Sequence, residues 1–415
     1  MSAASVLFAL FLAEAALRVA GYGYPVFYTT DAERGYALRP GAEGWYRKEG
    51  AAFVRVNSEG LRDGEHAREK PAGALRVAVL GDSYAEALQV EQEEAFWSVM
   101  EKRLAACGAF AGRPVEVINF GVSGYGTAQE LITLRRKVWD YAPDLVLLAV
   151  TTNNDITDNS RALKKTGEIP YFVRREGGLA LDDSFRETAA FRLRDSGLNR
   201  AGRWIRDNSR VIQLIHQSHG AIKTVVKSAR EPRDGGPTQT AAATTSADAK
   251  EATRDRAEAR GETLKAEEAA ARSDELGTDN LVYRPPVDGA WEEAWRVTED
   301  LIVLMSEEVR ARGARFVVVT LSNGIQVYPD ESARRQFMRR VGATDLFYPD
   351  LRIKSLGERA GFEVVNLAPP LQRYADERKL FLHGFGDDLG NGHWNRDGHR
   401  AAGELLAETL CAPRQ

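Results

Sequence analysis

The chain of 415 residues lacks most of the features that announce a function. It holds two cysteines and six histidines, so scattered that no zinc-ligand spacing forms and a zinc module is excluded. Neither a metal nor a cofactor is expected. The formal net charge of −4 is too small to argue for nucleic acid or for an anionic membrane surface as a partner. No internal repeat is visible, which removes solenoids and propellers. An uninterrupted apolar run of spanning length, ~20 residues, is also missing. Ala3 to Ala13 is almost wholly apolar and Ala15 to Ala20 continues it, but Glu14 and Arg18 break it. No basic leader or Ala-x-Ala cleavage site accompanies the run, so a cleaved signal peptide is not expected. Glu14 and Arg18 lie four apart and can pair on one helical face. Residues 1–21 therefore read as a membrane anchor or as a helix packed on the domain.

What is present is a regular alternation. Five short runs rich in Val, Leu and Ile read as buried parallel strands: Arg76–Leu80, Val115–Phe120, Leu145–Val150, Arg315–Leu321 and Phe362–Leu367. Helical stretches separate or follow them: Glu94–Ala106, Ala128–Trp139, Trp291–Arg312, Leu351–Ala360 and Arg396–Leu410. The third carries a stripe of Trp291, Trp295, Thr298, Leu301, Ile302, Met305 and Val309, spaced for one buried face. Such alternation predicts an α/β fold, a three-layer α/β/α sandwich on a five-stranded parallel sheet. Cys107 and Cys411 should close the first and last of these helices. In such a sheet those helices often share a face, so the two thiols either form a disulfide, implying an oxidising compartment, or stay free.

Around this core, residues 22–73 are rich in Gly, Tyr and turn residues and read as an irregular extension. The core domain is expected over 74–155 and 288–415, interrupted by an insertion at 156–287. The insertion's first part carries Tyr171, Phe172, Phe185, Phe191, Trp204 and Ile212 and is expected to fold against the core. Within 229–279 there are no aromatics and only two large aliphatics, Leu264 and Leu276. Such a segment cannot offset its ordering entropy by burial. It reads as disordered, or as an exposed helix over Lys250–Arg272.

Four chemistry-bearing signals fall at one edge of the predicted sheet. Gly81-Asp82-Ser83 follows the first strand, where a turn exposes a serine hydroxyl at the carboxyl edge. Asn119-Phe120-Gly121-Val122-Ser123-Gly124 follows the second; glycine there lets a backbone N–H approach a ligand closely. Thr151-Thr152-Asn153-Asn154-Asp155 follows the third and can supply a side-chain N–H donor to an oxyanion. Before the last helix, His393 stands in a loop and is free to act as a base towards Ser83, whereas His399 should fall inside the helix. Each signal alone is equally well read as a cap or a turn. Their joint order is what points to serine chemistry.

In these blocks the chain resembles the SGNH hydrolases, or GDSL esterases and lipases, over residues 75–155 and 315–411. The resemblance implies a flavodoxin-like SGNH fold, with Ser83 as nucleophile and His393 as base. It also implies an oxyanion hole made by the N–H of Ser83, the N–H of Gly124 and the side chain of Asn154. Two positions depart from the family pattern. Thr152 replaces a glycine, and Gly390 stands three before His393 where the family carries an acid. Asp388 is taken as the orienting acid, with Asp387, Asn391 or no acid at all as alternatives. The stretch Val56-Asn57-Ser58-Glu59-Gly60-Leu61-Arg62-Asp63 also looks like bacterial, membrane-anchored members.

The expected function is hydrolysis of a carboxylic ester, a small molecule or the O-acetyl groups of a cell-envelope polysaccharide. The alternatives are an O-acyltransferase using the same serine and a glycan-binding scaffold without catalysis. The corresponding location is membrane-anchored on the periplasmic side, with a soluble cytoplasmic protein as the alternative. No nucleic acid is expected as a partner.

Overall fold

A computed structural model describes residues 3–23, 26–110, 112–215, 280–286 and 288–412. The segment 229–279, expected to be disordered or an exposed helix, lies outside the described residues. The chain divides into two units, Val26–Ser196 with Arg272–Gln415, and Met1–Pro25 with Gly197–Ala271.

In the larger unit, two antiparallel hairpins come first. Strands β1 (Tyr28–Asp31) and β2 (Gly35–Leu38) form one, β3 (Glu43–Tyr46) and β4 (Ala52–Arg55) the other. The expected irregular extension is thus partly ordered into sheet. Strands of four residues are too short to show alternation in sequence. Then follow β5 (Leu75–Leu80), β6 (Val115–Asn119), β7 (Leu145–Thr151), a hairpin of β8 (Tyr171–Arg175) and β9 (Gly178–Asp182), β10 (Arg315–Leu321) and β11 (Glu363–Asn366). Five of these make the parallel sheet, in the order β11-β10-β7-β5-β6. They are the five strands expected from sequence.

Every residue of β5 and β7 is buried, which is why their sequences are continuously apolar rather than alternating. Successive side chains still point to opposite faces. Ala78, Leu80, Val146, Leu148 and Val318 pack under the helix Gly289–Ala311, whose tryptophans are buried there. Val77, Val79, Leu147, Val317 and Val319 pack under the helices Phe96–Ala105 and Arg396–Cys411. The fold is a three-layer α/β/α sandwich. From the adjacent strands β5 and β7 the chain proceeds in opposite directions, β5 to β6 on one side and β7 to β10 on the other. That switch point opens a crevice beyond the carboxyl ends of β5 and β7.

Cys107 and Cys411 are joined by a disulfide, with Cα atoms 6.2 Å apart and a sequence separation of 304. In the smaller unit, the apolar N-terminal run forms the helix Ala3–Val19. Among the described residues no helix is long and apolar enough to cross a membrane.

The helix that ends at Cys411 generates two predictions. Replacing both cysteines by serine frees a loop that the disulfide closes, so unfolding free energy should fall by about 2–5 kcal/mol, read from urea melts. His399 on the same helix is buried, accepts from the N–H of Phe96 (3.3 Å), and burial lowers its pKa from 6.5 to about 3. The unfolded imidazole takes a proton below 6.5 and the folded one does not, so this residue makes stability fall as pH drops. In His399→Asn the loss of stability between pH 7 and pH 5 should shrink by about 2 kcal/mol; an unchanged difference would mean that His399 is charged in the fold.

Candidate active site

The turn after β5 is built by close packing around Ala85. A Cβ on Gly81 would lie 2.9 Å from Ala85 Cβ, and one on Gly121 would lie 2.5 Å from it. Both positions therefore require glycine. Ser83 opens the short helix Ser83–Glu86, and Asp82 caps it by accepting from the N–H of Tyr84 (3.0 Å). Asp82 also accepts from Thr151 Oγ1 (3.0 Å) and Asn154 Nδ2 (3.1 Å). One buried carboxylate thus ties the end of β5 to the end of β7. Burial raises its pKa, opposed in part by these donors and the charge of His393. An asparagine amide carries two hydrogens, so Asn154 can hold Asp82 with one and present the other to the crevice.

The loop after β6 is shaped by Gly124, whose φ of +76° favours glycine, and a Cβ there would meet Tyr36 Oη at 2.7 Å. Tyr36 donates from that hydroxyl to the carbonyl of Ser123 (2.8 Å). Glu86, fully buried beside Ser83, accepts from the N–H of Ser123 (2.9 Å), from its hydroxyl and from Tyr28 Oη (2.8 Å). The first hairpin, which carries Tyr28 and Tyr36, therefore braces the Gly124 turn. The stretch 56–63 does similar work: Asp63 Oδ2 accepts from the N–H of Asn119 (2.8 Å) and Arg62 Nη2 donates to the carbonyl of Val90 (2.7 Å). At the third block Thr152 is buried and accepts from Asn323 Nδ2 (3.3 Å), leaving Asn154 at the start of its own helix.

His393 lies at the same edge, its ring centroid 5.1 Å from that of Tyr84, the residue after Ser83. The carboxylate against it belongs to Glu49, in the turn between β3 and β4. Nδ1–H donates to Glu49 Oε2 (2.5 Å) and the backbone N–H of His393 donates to Oε1 (2.7 Å). Burial pushes the Glu49 carboxyl up, but its bonds and charge interaction with His393 outweigh that and hold it below its ordinary range. Nε2 of His393 is buried without a hydrogen-bond partner among the described residues. With Nδ1 committed to a carboxylate, Nε2 is the nitrogen able to accept a proton.

Asp388, expected to orient this imidazole, instead accepts from Asn391 Nδ2 (2.9 Å). The expected acid position, Gly390, has φ of +91°, and a Cβ there would lie 2.3 Å from the ring of Tyr328. Tyr328 fills the space a carboxylate would need, and Glu49 approaches from a different side of the loop. Gly392 makes the approach tight enough, since a Cβ on it would lie 2.2 Å from Glu49 Oε1. The histidine loop is fixed from behind by His383, whose Nδ1–H donates to the carbonyl of Gly392 (2.8 Å). Sequence reasoning missed Glu49, which sits 344 residues from its partner and has no local pattern beyond a glycine after it.

No family model and no curated protein matches the chain. Among solved structures it is similar to LAE5, an alpha/beta hydrolase enzyme from the metagenome of Lake Arreo, Spain. The identity is 13% over 81% of this chain and 97% of that one, with a TM-score of 0.36. It is also similar to Axe2, an acetylxylan esterase from Geobacillus stearothermophilus, at 11% identity over 81% and 95%, TM-score 0.36. The acetyl xylan esterase AlAXEase shows 12% identity over 81% and 98%, TM-score 0.36. Identities this low leave each residue's role to be read from geometry.

That geometry separates the two acids by experiment. Glu49→Gln should lower kcat by about 10²–10⁴-fold, on the scale of removing the orienting acid of a serine triad, with little change in KM. Asp388→Ala should stay within a few-fold of wild type. The reverse ranking would return the role to Asp388.

Proposed function

We propose that the protein is a serine esterase with Ser83, His393 and Glu49 as its catalytic triad. The observation that carries the reading is the divided imidazole: Nδ1 held by Glu49 and Nε2 buried without a partner among the described residues. In this reading, His393 Nε2 takes the proton as Ser83 Oγ bonds to the ester carbonyl carbon. The carbonyl electrons move to oxygen, which the N–H groups of Ser83 and Gly124 and the amide of Asn154 receive. Collapse breaks the bond to the alcohol, which leaves with the proton from His393. Water, deprotonated by the same nitrogen, then releases the acid and restores the serine.

For the substrate we propose an O-acetylated polysaccharide; the support is the likeness of the motifs to those of cell-surface esterases. The scaffold alternative drew on the absent acid at position 390, and Glu49 removes that support. An acyltransferase would form the same acyl-enzyme and pass it to a sugar hydroxyl, so it is an outcome of the test rather than a separate reading.

The test is p-nitrophenyl acetate turnover with and without an oligosaccharide acceptor. Ser83→Ala and His393→Ala should abolish it, and Asn154→Ala should lower kcat by about 10²–10³-fold with an unchanged thermal melt. Turnover that survives in Ser83→Ala would refute the serine mechanism. Acetate passing to the acceptor in preference to water would replace hydrolase by transferase.

A further inference from the structure

The smaller unit uses its charged residues in a way the sequence alone does not suggest. Glu14 and Arg18 pair (2.8 Å), but they also leave the apolar helix Ala3–Val19 to grip a second segment. Arg18 Nη2 donates to the carbonyl of Asn208 (2.6 Å), at the end of the helix Gly197–Asn208. The Glu14 carboxylate accepts from Ser209 Oγ and from the N–H groups of Arg210 and Val211, each at 3.0 Å. It thereby caps the helical turn over 210–215. The two charges that interrupt the apolar run thus clamp it to the bend at 208–211.

The helix Gly197–Asn208 so held is amphipathic and its apolar side faces outward. Leu198, Ala201, Trp204 and Ile205 recur at helical spacing on one side. Leu198 is 85% exposed, Trp204 68% and Ile205 48%. On the opposite side lie Arg200, Arg203 and Arg206, and Arg210 continues that side past the bend. Asp207 is the single acid over 197–215. The helix Ala3–Val19 exposes Leu7, Phe8 and Phe11 in the same unit. Sequence had placed Trp204 and Ile212 among residues folding on the core. Trp204 instead stands in solvent.

A packed core would cover such a tryptophan, and a purely solvated face would not hold Leu, Trp and Ile together. Arginines beside exposed Leu and Trp are the composition of a helix lying in a lipid interface. The apolar side enters the acyl boundary while the guanidiniums meet lipid phosphates. We propose that the helix Gly197–Asn208 docks in the plane of an anionic phospholipid bilayer, with the helix Ala3–Val19 clamped beside it. Arg206 is paired with Asp207 (3.0 Å), so the excess positive charge carried by Arg200, Arg203 and Arg210 supplies the complementarity, although the whole chain is slightly acidic. The inference is independent of the esterase reading.

The test is flotation of the full-length chain with vesicles of phosphatidylcholine alone and of phosphatidylcholine with phosphatidylglycerol. The expected result is binding to the anionic vesicles at least tenfold tighter, weakened by salt. Trp204→Glu with Ile205→Glu should lower that binding at least tenfold with an unchanged circular dichroism melt. Arg200→Gln, Arg203→Gln and Arg206→Gln together should abolish the preference for anionic lipid, which keeps the proposal testable if the first variant misfolds. No binding to either vesicle would overturn it. Wild-type binding by both variants would also overturn it and leave attachment to the helix Ala3–Val19 alone. A lipid-free oligomer that Trp204→Glu with Ile205→Glu converts to monomer would give the face to a second copy of the chain.

Discussion

The carboxylate of Asp82 accepts three hydrogen bonds, from the N–H of Tyr84 and the side chains of Thr151 and Asn154. Two of the donors lie at or just after the end of β7 and one follows Ser83, so the positions of Ser83 and Asn154 are set by one group. An unpaired buried carboxylate is costly, and the three donors are what let Asp82 occupy this place. The pairing of β5 directly with β7 brings those donors within reach. Without it the serine turn and the asparagine turn would have no common anchor.

A second carboxylate performs the corresponding task for His393. Glu49 receives the ring N–H and the backbone N–H of His393, which fixes both the tautomer and the placement of the ring. It arrives from a short polar hairpin turn within residues 22–73, the stretch that sequence shows only as rich in Gly, Tyr and turn residues. The neighbouring hairpin braces the Gly124 turn through Tyr28, Tyr36 and Glu86. What looks like an extension before the sheet is therefore the scaffold of the site. Residues 22–73 pair through backbone ladders and a few tyrosines, interactions that leave little periodicity to read.

Glycines mark the places where that scaffold closes. Gly121 permits the contact with Ala85, and Gly392 permits the approach of Glu49. At Gly390 the crowding of Tyr328 explains why the usual acid position is vacant of a side chain. Position 390 and position 49 are thus linked: the ring that fills one side of the loop leaves the other side for the carboxylate. Asp388 is engaged with Asn391, although the imidazole of His393 is only five residues away in sequence.

By itself the sequence determined the sheet, its helices and the turns after β5, β6 and β7 that carry Ser83, Gly124 and Asn154. Buried parallel strands must be continuously apolar, and turns after them must be polar or glycine, so burial writes both into local composition. It also placed Cys107 and Cys411 near the ends of two helices, and left open whether they pair. Only the tertiary structure decided that Glu49 meets His393, that Asp388 does not, and that Trp204 stands exposed. Those outcomes depend on contacts between segments far apart in the chain. A single carboxylate or tryptophan carries no periodicity, and nothing in its neighbours records which distant surface it will meet.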